Sequence, residues 1–173
     1  MQPRFVTARL RLTPAGDEDV DALWALWTEP RVRQFLWDDL AIERDRARDT
    51  VRELAALAPR GLGLWTIALA TDQALVGCAA LSPVGVVAEY YPPFAGAVEP
   101  LIALAPTHWG CGYAHEALTT LLAYATDTLR LDRVVAACDA PNEASDRLLR
   151  RTGFVCCAET EGPRYRLRHY TYG

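Results

Sequence analysis

The chain has no lysine: all 18 of its basic residues are arginine. A phosphate-binding P-loop that closes on Gly-Lys-Ser/Thr is therefore excluded. There is no basic surplus either. With 22 acidic residues the formal net charge is −4 and the isoelectric point is about 5.4, so the positive footprint of a nucleic-acid binder is missing. No stretch reaches the roughly 18 uninterrupted apolar residues of a membrane span, and the opening Met1 to Arg9 lacks the apolar centre of a signal peptide. The five cysteines, Cys78, Cys111, Cys138, Cys156 and Cys157, are odd in number and sit mostly in apolar segments. They do not form a disulfide framework, and a reducing cytoplasm is the expected compartment. Internal repeats and low-complexity tracts are absent as well.

What is there suits one globular domain spanning residues 1–173. Of the 173 residues 51% are hydrophobic and 23% charged, enough to bury a core and too apolar for global disorder. Leu10 to Thr13 alternates as a short strand. Asp17 to Thr28 reads as a helix, with Val20, Leu23, Trp24 and Trp27 at i, i+3, i+4, i+7 and acids in its first turn; Pro30 is expected to stop it. A second helix is predicted from about Ile42 to Ala58. Leu64–Ala70 and Ala74–Leu81 read as a hairpin about a Thr71-Asp72-Gln73 turn. Residues 82–96 hold Pro83, Gly85, Pro92, Pro93 and a Tyr90-Tyr91 pair, and read as a long loop of the kind that carries function. Val98 to Ala105 is an apolar strand closed by Pro106. A helix follows from about Ala114 to Leu129, then a strand from Arg133 to Cys138. Asn142 can cap a last helix that Gly153 ends. Two strands, Phe154–Ala158 and Tyr165–Tyr170, complete a mixed α+β domain.

Chemistry concentrates at Trp109-Gly110-Cys111-Gly112-Tyr113-Ala114. A strand running into Gly-x-Gly and then a helix offers backbone N–H groups and a helix N-terminus to an anion. It is not a dinucleotide fingerprint, because His115 stands where the third glycine belongs. Taken alone, such a turn is equally well a tight strand-to-helix connection that binds nothing.

The surrounding residues resemble the GNAT superfamily of N-acetyltransferases. Val98 to Pro106, followed by Trp-Gly-Cys-Gly-Tyr-Ala-His-Glu-Ala at 109–117, is similar to its acyl-CoA-binding motif in the RimJ/RimL-like (ribosomal-protein-alanine acetyltransferase) form. Asn142-Glu143-Ala144-Ser145, Leu148-Leu149 and Gly153-Phe154 resemble a second signature, and Thr7-Ala8-Arg9-Leu10-Arg11-Leu12-Thr13 a third. The resemblance spans nearly the whole chain. It implies a twisted, mostly antiparallel sheet with splayed central parallel strands and about four flanking helices. It also implies acetyl-CoA as acyl donor and no metal. The cofactor-binding set would be Leu101, Ile102, Ala103 and Leu104 on the strand, Trp109, Gly110, Cys111, Gly112, Tyr113 and Ala114 on the turn, and Asn142. Cys111 stands where the family often has Lys or Arg, so either another Arg compensates or CoA binding is weaker. Leu149 stands where many members carry a proton-donating Tyr; the RimJ/RimL-like branch commonly lacks that Tyr too, and the resemblance implies that Ser145, matching its Ser near the thiol, is the candidate donor.

Acyl transfer to an amine needs an aimed, neutral nucleophile and a base. Glu99, just before the cofactor strand, is the base candidate, with Glu89 a weaker rival; a solvated or salt-bridged Glu99 is the plain alternative. Phe35, Trp37, Tyr90 and Tyr91 are candidates for an aromatic acceptor wall, with ordinary packing the alternative. Asp38-Asp39 could attract a cationic amine or merely form a solvated turn. His108, Cys111 and His115 lack the spacing and fourth ligand of structural zinc. The reading is an N-acetyltransferase that acts on a primary amine, either a protein N-terminus or a small molecule. Beside it stand an antibiotic- or metabolite-modifying enzyme, a non-catalytic CoA-binding sensor and an inert interaction module. No nucleic-acid or membrane partner is expected; homodimers are common in the family.

Overall fold

The computed structural model describes residues 2–71 and 74–173. Eight strands form one sheet: β1 (Phe5–Val6), β2 (Leu10–Pro14), β3 (Gly63–Leu69), β4 (Leu75–Pro83), β5 (Val98–Leu104), β6 (Val134–Asp139), β7 (Val155–Glu161) and β8 (Arg166–Tyr172). Their order across the sheet is β1-β2-β3-β4-β5-β6-β8-β7. Every neighbouring pair is antiparallel except β5 and β6, which run parallel. Four helices have nine residues or more: α1 (Val20–Thr28), α3 (Arg44–Ala55), α5 (Tyr113–Ala123) and α6 (Glu143–Arg151). The other two, α2 (Pro30–Arg33) and α4 (Val87–Tyr90), are single turns. Among the described residues no helix is long and apolar enough to cross a membrane.

Strand alternation gives the sheet two apolar faces, each with its own helices. On one face Leu12, Ile67, Leu81, Val134 and Ala136 pack against Leu118, Leu121 and Leu122 of α5 and Leu149 of α6. On the other, Val20, Leu23 and Trp27 of α1 and Ala47 and Val51 of α3 pack against Leu64, Cys78, Ala80 and Ala103. The period read in α1 therefore points into the second core. Trp24, half-buried at its edge, donates its indole N–H to the Ile42 carbonyl at 2.9 Å.

Local differences from the sequence reading have simple causes. Pro30 ends α1 as expected but also starts α2, where proline fits because the first helical N–H needs no partner. The Glu29 carboxylate caps that turn, accepting from the N–H groups of Arg31 and Val32 at 2.7 and 3.1 Å. The segment 82–96 is not all loop: it holds α4 and a 3-10 turn at Pro92–Phe94, anchored by the buried Phe94. The helix after the glycine turn reaches Thr128 only by widening into a π turn from Tyr124. There the Thr126 hydroxyl donates back to the Leu122 carbonyl. The two-residue β1 is too short to show alternation. Asp72 and Gln73 of the expected hairpin turn lie outside the described residues.

One feature positions the site. The parallel ladder between β5 and β6 consists of a single pair, Val98 opposite Val134. Beyond it the two strands diverge and leave a slot through the middle of the sheet.

Candidate active site

The slot has a different lining on each face. Ala105 donates its N–H to Val76 at 2.9 Å, so residues of its parity turn their backbone groups toward β4. By alternation Ile102 turns its N–H and carbonyl toward the slot. The side chains of Pro100 and Ile102 point to the α5/α6 face, where Ala136, Ala137, Leu118, Ser145, Leu148 and Leu149 complete a narrow cleft. Glu99 and Leu101 have the opposite parity. Leu101 joins the α1/α3 core, which places Glu99 on that second face. Glu99 and Ser145 therefore stand on opposite faces of the sheet, across the slot.

At the C-terminal end of β5 the chain makes a 3-10 turn over Pro106–His108 and enters the glycine turn. Gly110 and Gly112 have φ of +75° and +80°, a region in which glycine alone rests without strain. A Cβ on Gly110 would meet nothing within 4 Å, so packing does not demand glycine there and backbone conformation does. Gly112 caps α5 and offers no side-chain acceptor. Among the described residues the backbone N–H groups of Gly110, Cys111, Gly112, Tyr113, Ala114 and His115 have no acceptor. These donors lie at the positive end of the α5 dipole, where an anion is favoured. Trp109 links turn and strand: its indole N–H donates to the Leu104 carbonyl at 2.8 Å, while its ring stays 47% exposed beneath the Arg31 guanidinium. The exposed Cys111 thiol leans back on the Trp109 carbonyl at 3.6 Å.

On α6, Asn142 is the N-cap that its sequence position implied, accepting the Ser145 N–H at 3.1 Å. Leu149 is buried in the core. Behind Ser145 lies a polar group that sequence reading missed. The Cys138 thiol is 3.9 Å from the Tyr170 hydroxyl and lies within reach of the Ser145 hydroxyl. Tyr170, fully buried, donates its hydroxyl to the Asp146 carboxylate. Asp146 also receives Arg150 Nε at 3.0 and 3.1 Å. Burial first, and the bond to Asp146 second, push the Tyr170 hydroxyl well above its ordinary range. The Tyr170 and Arg150 bonds hold Asp146 below the usual carboxylate range, and burial pushes the Cys138 thiol up. The Asp146–Arg150 spacing of i, i+4 is visible in the sequence. Tyr170, 24 residues further on, is not.

On the α1/α3 face, burial pushes the Glu99 carboxyl up, opposed only in part by the Gly85 N–H at 3.5 Å. The loop after α2 meets the β7–β8 turn. The rings of Phe35 and Tyr165 lie 6.3 Å apart, Arg164 donates to the Gln34 carbonyl at 3.3 Å, and Asp39 stands between Arg33 at 3.2 Å and Arg164 at 3.8 Å. Asp38 and Asp39 are left-handed at φ +50° and +66°, a conformation aspartate tolerates. At the end of β6, burial and then the Asp38 charge push Asp139 up, opposed by Arg164. Trp37 packs edge-on to Trp27 at 5.9 Å, and its buried indole nitrogen has no partner among the described residues. Tyr90 ends α4 half-buried, with Glu89 exposed beside it. The Tyr91 ring stacks on the fully buried His169 at 4.7 Å, with Phe94 edge-on to both. Phe35 thus lies against Tyr165 of the β7–β8 turn, whereas Trp37 and Tyr91 are engaged in packing. Among the described residues no group of three or more His, Cys, Asp or Glu is placed to hold a metal ion.

A sheet split between parallel strands, with a phosphate-ready glycine turn at one end, defines an acyl-CoA-type transferase fold. The chain matches the Acetyltransferase (GNAT) domain family over residues 9–155 and belongs to it. It is similar to the uncharacterized N-acetyltransferase YoaA of Bacillus subtilis strain 168, at 28% identity over 173 residues, covering 99% of this chain and 90% of the relative. Its fold matches a putative GnaT-family acetyltransferase from Bordetella pertussis with a TM-score of 0.86 at 22% identity, over 99% of this chain and 100% of that one. It also matches RimL, a ribosomal L7/L12 alpha-N-protein acetyltransferase in complex with coenzyme A, with a TM-score of 0.77 at 21% identity, over 97% of this chain and 96% of that one. The chain is an N-acetyltransferase, which moves an acetyl group to an amine.

Proposed function

We propose that the protein transfers the acetyl group of acetyl-CoA directly to a primary amine, in the manner of the RimJ/RimL-like branch. The observation that carries this reading is the slot, with Ser145 on one face, Glu99 on the other and the glycine turn at its end. The residues fit the donor: the uncommitted amides of 110–115 suit a diphosphate, and the open space at Gly110 leaves room for it. The slot edge at Leu101 to Leu104 suits a pantetheine arm. Acetyl-CoA supplies the activated thioester. Glu99, its carboxyl pushed up by burial, takes a proton from the acceptor ammonium, directly or through water. A backbone N–H of the slot edge meets the negative charge that develops on the carbonyl oxygen. As the C–S bond breaks, Ser145 Oγ–H gives its proton to the departing sulfur, and the serine is reprotonated, through water, by the second proton that the acceptor nitrogen releases on becoming an amide.

The RimL neighbour acts on a protein N-terminus, and the acceptor proposed here is of that class or a small amine that fits beside Phe35 and Tyr165. The five free cysteines support a reducing compartment, the cytoplasm. Titration calorimetry with acetyl-CoA, with ADP as control, tests the donor half. Micromolar binding that needs the pantetheine arm is expected, and no binding at millimolar ligand sinks the reading. Turnover on a panel of peptides and small amines then tests the acceptor.

A further inference from the structure

The glycine turn offers amides but no cation of its own: position 111 is an exposed free cysteine, not a lysine or arginine. The nearby Arg31 guanidinium lies over the Trp109 ring with its Nε on Glu29, and among the described residues it makes no hydrogen bond to the turn backbone. We propose that Arg9, reaching the turn from the segment between β1 and β2, is the residue that binds the CoA diphosphate in place of a cation at position 111. This rests on the CoA reading given above and adds to it a binding residue from the far end of the chain.

The guanidinium is fixed before any ligand arrives. Arg9 donates its backbone N–H and its Nε to the Glu116 carboxylate at 2.9 and 2.7 Å, and Thr7 Oγ1 holds the same carboxylate at 2.5 Å. Arg9 Nη1 donates to the Cys111 carbonyl at 2.9 Å, and the guanidinium carbon lies 4.7 Å over the Tyr113 ring. These contacts pin Arg9 to both sides of the glycine turn. Arg9 Nη2 has no partner among the described residues. It lies 3.5 Å from the position a Gly112 Cβ would occupy, beside the uncommitted amides of Gly112 and its neighbours. The side chain is 47% exposed, so it is open to ligand. A long flexible chain normally loses much rotamer freedom on gripping an anion. Here Glu116, the Cys111 carbonyl and the Tyr113 ring have already imposed that order, and Nη2 remains free to donate to a phosphate oxygen.

The test is calorimetry of the full chain with three ligands: CoA, ADP (diphosphate without the arm) and pantetheine (arm without diphosphate). Arg9→Gln is expected to weaken CoA and ADP by about tenfold or more, the usual size of a lost charge-assisted hydrogen bond, while pantetheine binding stays unchanged. Adding Cys111→Arg restores CoA and ADP binding in that variant but gains little in the wild type, where Arg9 already supplies the cation; an equal gain in both backgrounds would overturn the assignment. Arg9→Lys carries the same test if the glutamine variant does not fold, since it keeps the cation and loses the fork. CoA and ADP binding left intact by both variants would overturn the assignment, and so would equal losses for pantetheine and CoA. Wild-type protein that binds no CoA would instead sink the transferase reading on which the assignment rests.

Discussion

The two ends of the slot are made of different materials. The end proposed for the donor is mostly backbone: two left-handed glycines, a run of free amides and a strand edge, all from one stretch of chain between Leu101 and His115, with Arg9 the one side chain proposed to join them from elsewhere. The end proposed for the acceptor is side chains: Phe35, Asp38 and Asp39 from one loop, Glu99 and Asp139 from two strands, Arg164 and Tyr165 from a distant hairpin turn. A backbone site binds any ligand with the right phosphates and depends less on which side chains surround it. A side-chain site is specific and is rebuilt whenever one of its loops changes. A common donor with varied acceptors follows directly from that division.

Substitutions should separate the two ends. The largest effect is expected at Glu99→Gln, which should lower kcat/KM by about 10²–10⁴. As the proposed base Glu99 must be ionised to act, and burial raises its carboxyl pKa. Wild-type kcat/KM should therefore fall as pH drops through that raised value, and the acid limb should vanish from the variant's profile. An unchanged acid limb would assign the base elsewhere. Ser145→Ala should reduce kcat by roughly 10² with little change in acetyl-CoA affinity, because the cap bond to Asn142 uses the backbone N–H at 145. Gly110→Val should raise the acetyl-CoA Kd about 30–100-fold, from roughly 2–3 kcal/mol of lost phosphate hydrogen bonding, and leave acceptor KM unchanged. Phe35→Ala should do the reverse, raising acceptor KM about fivefold to thirtyfold through lost aromatic contact with acetyl-CoA binding unchanged. Asn142→Ala is the smallest, costing about 1 kcal/mol of stability at the α6 cap, read as a lower Tm with the donor Kd nearly the same.

That contrast also explains what could be read from the sequence. The turn, the cap at Asn142 and the period of α1 are local: spacing and glycine chemistry within a few residues determine them. The slot side of Ser145 follows from helical phase once the cap is fixed. The neighbours of these groups were not legible. Arg9 meets Glu116 across 107 residues and Tyr170 meets Asp146 across 24. Tyr91 next to Tyr90 looked like half of an aromatic wall, yet its ring is taken by His169, a partner 78 positions away in sequence and on another strand. The Phe35–Tyr165 contact spans most of the chain. Long-range pairs of this kind leave no period or motif behind.

The strand order carries a consequence for how the molecule is assembled. β1 to β5 pair in sequence order, so residues 5–104 can form their half of the sheet by successive local additions. The other half cannot. β8 lies between β6 and β7, and β6 lacks its antiparallel neighbour until residues 166–172 are in place. One wall of the slot is thus available early in folding and the other only at the end. Tyr170, which seals Cys138 and Asp146 behind Ser145, arrives with the last strand. During synthesis, affinity for the acyl donor should therefore appear abruptly with the closing strand, and partly made chains should not sequester coenzyme.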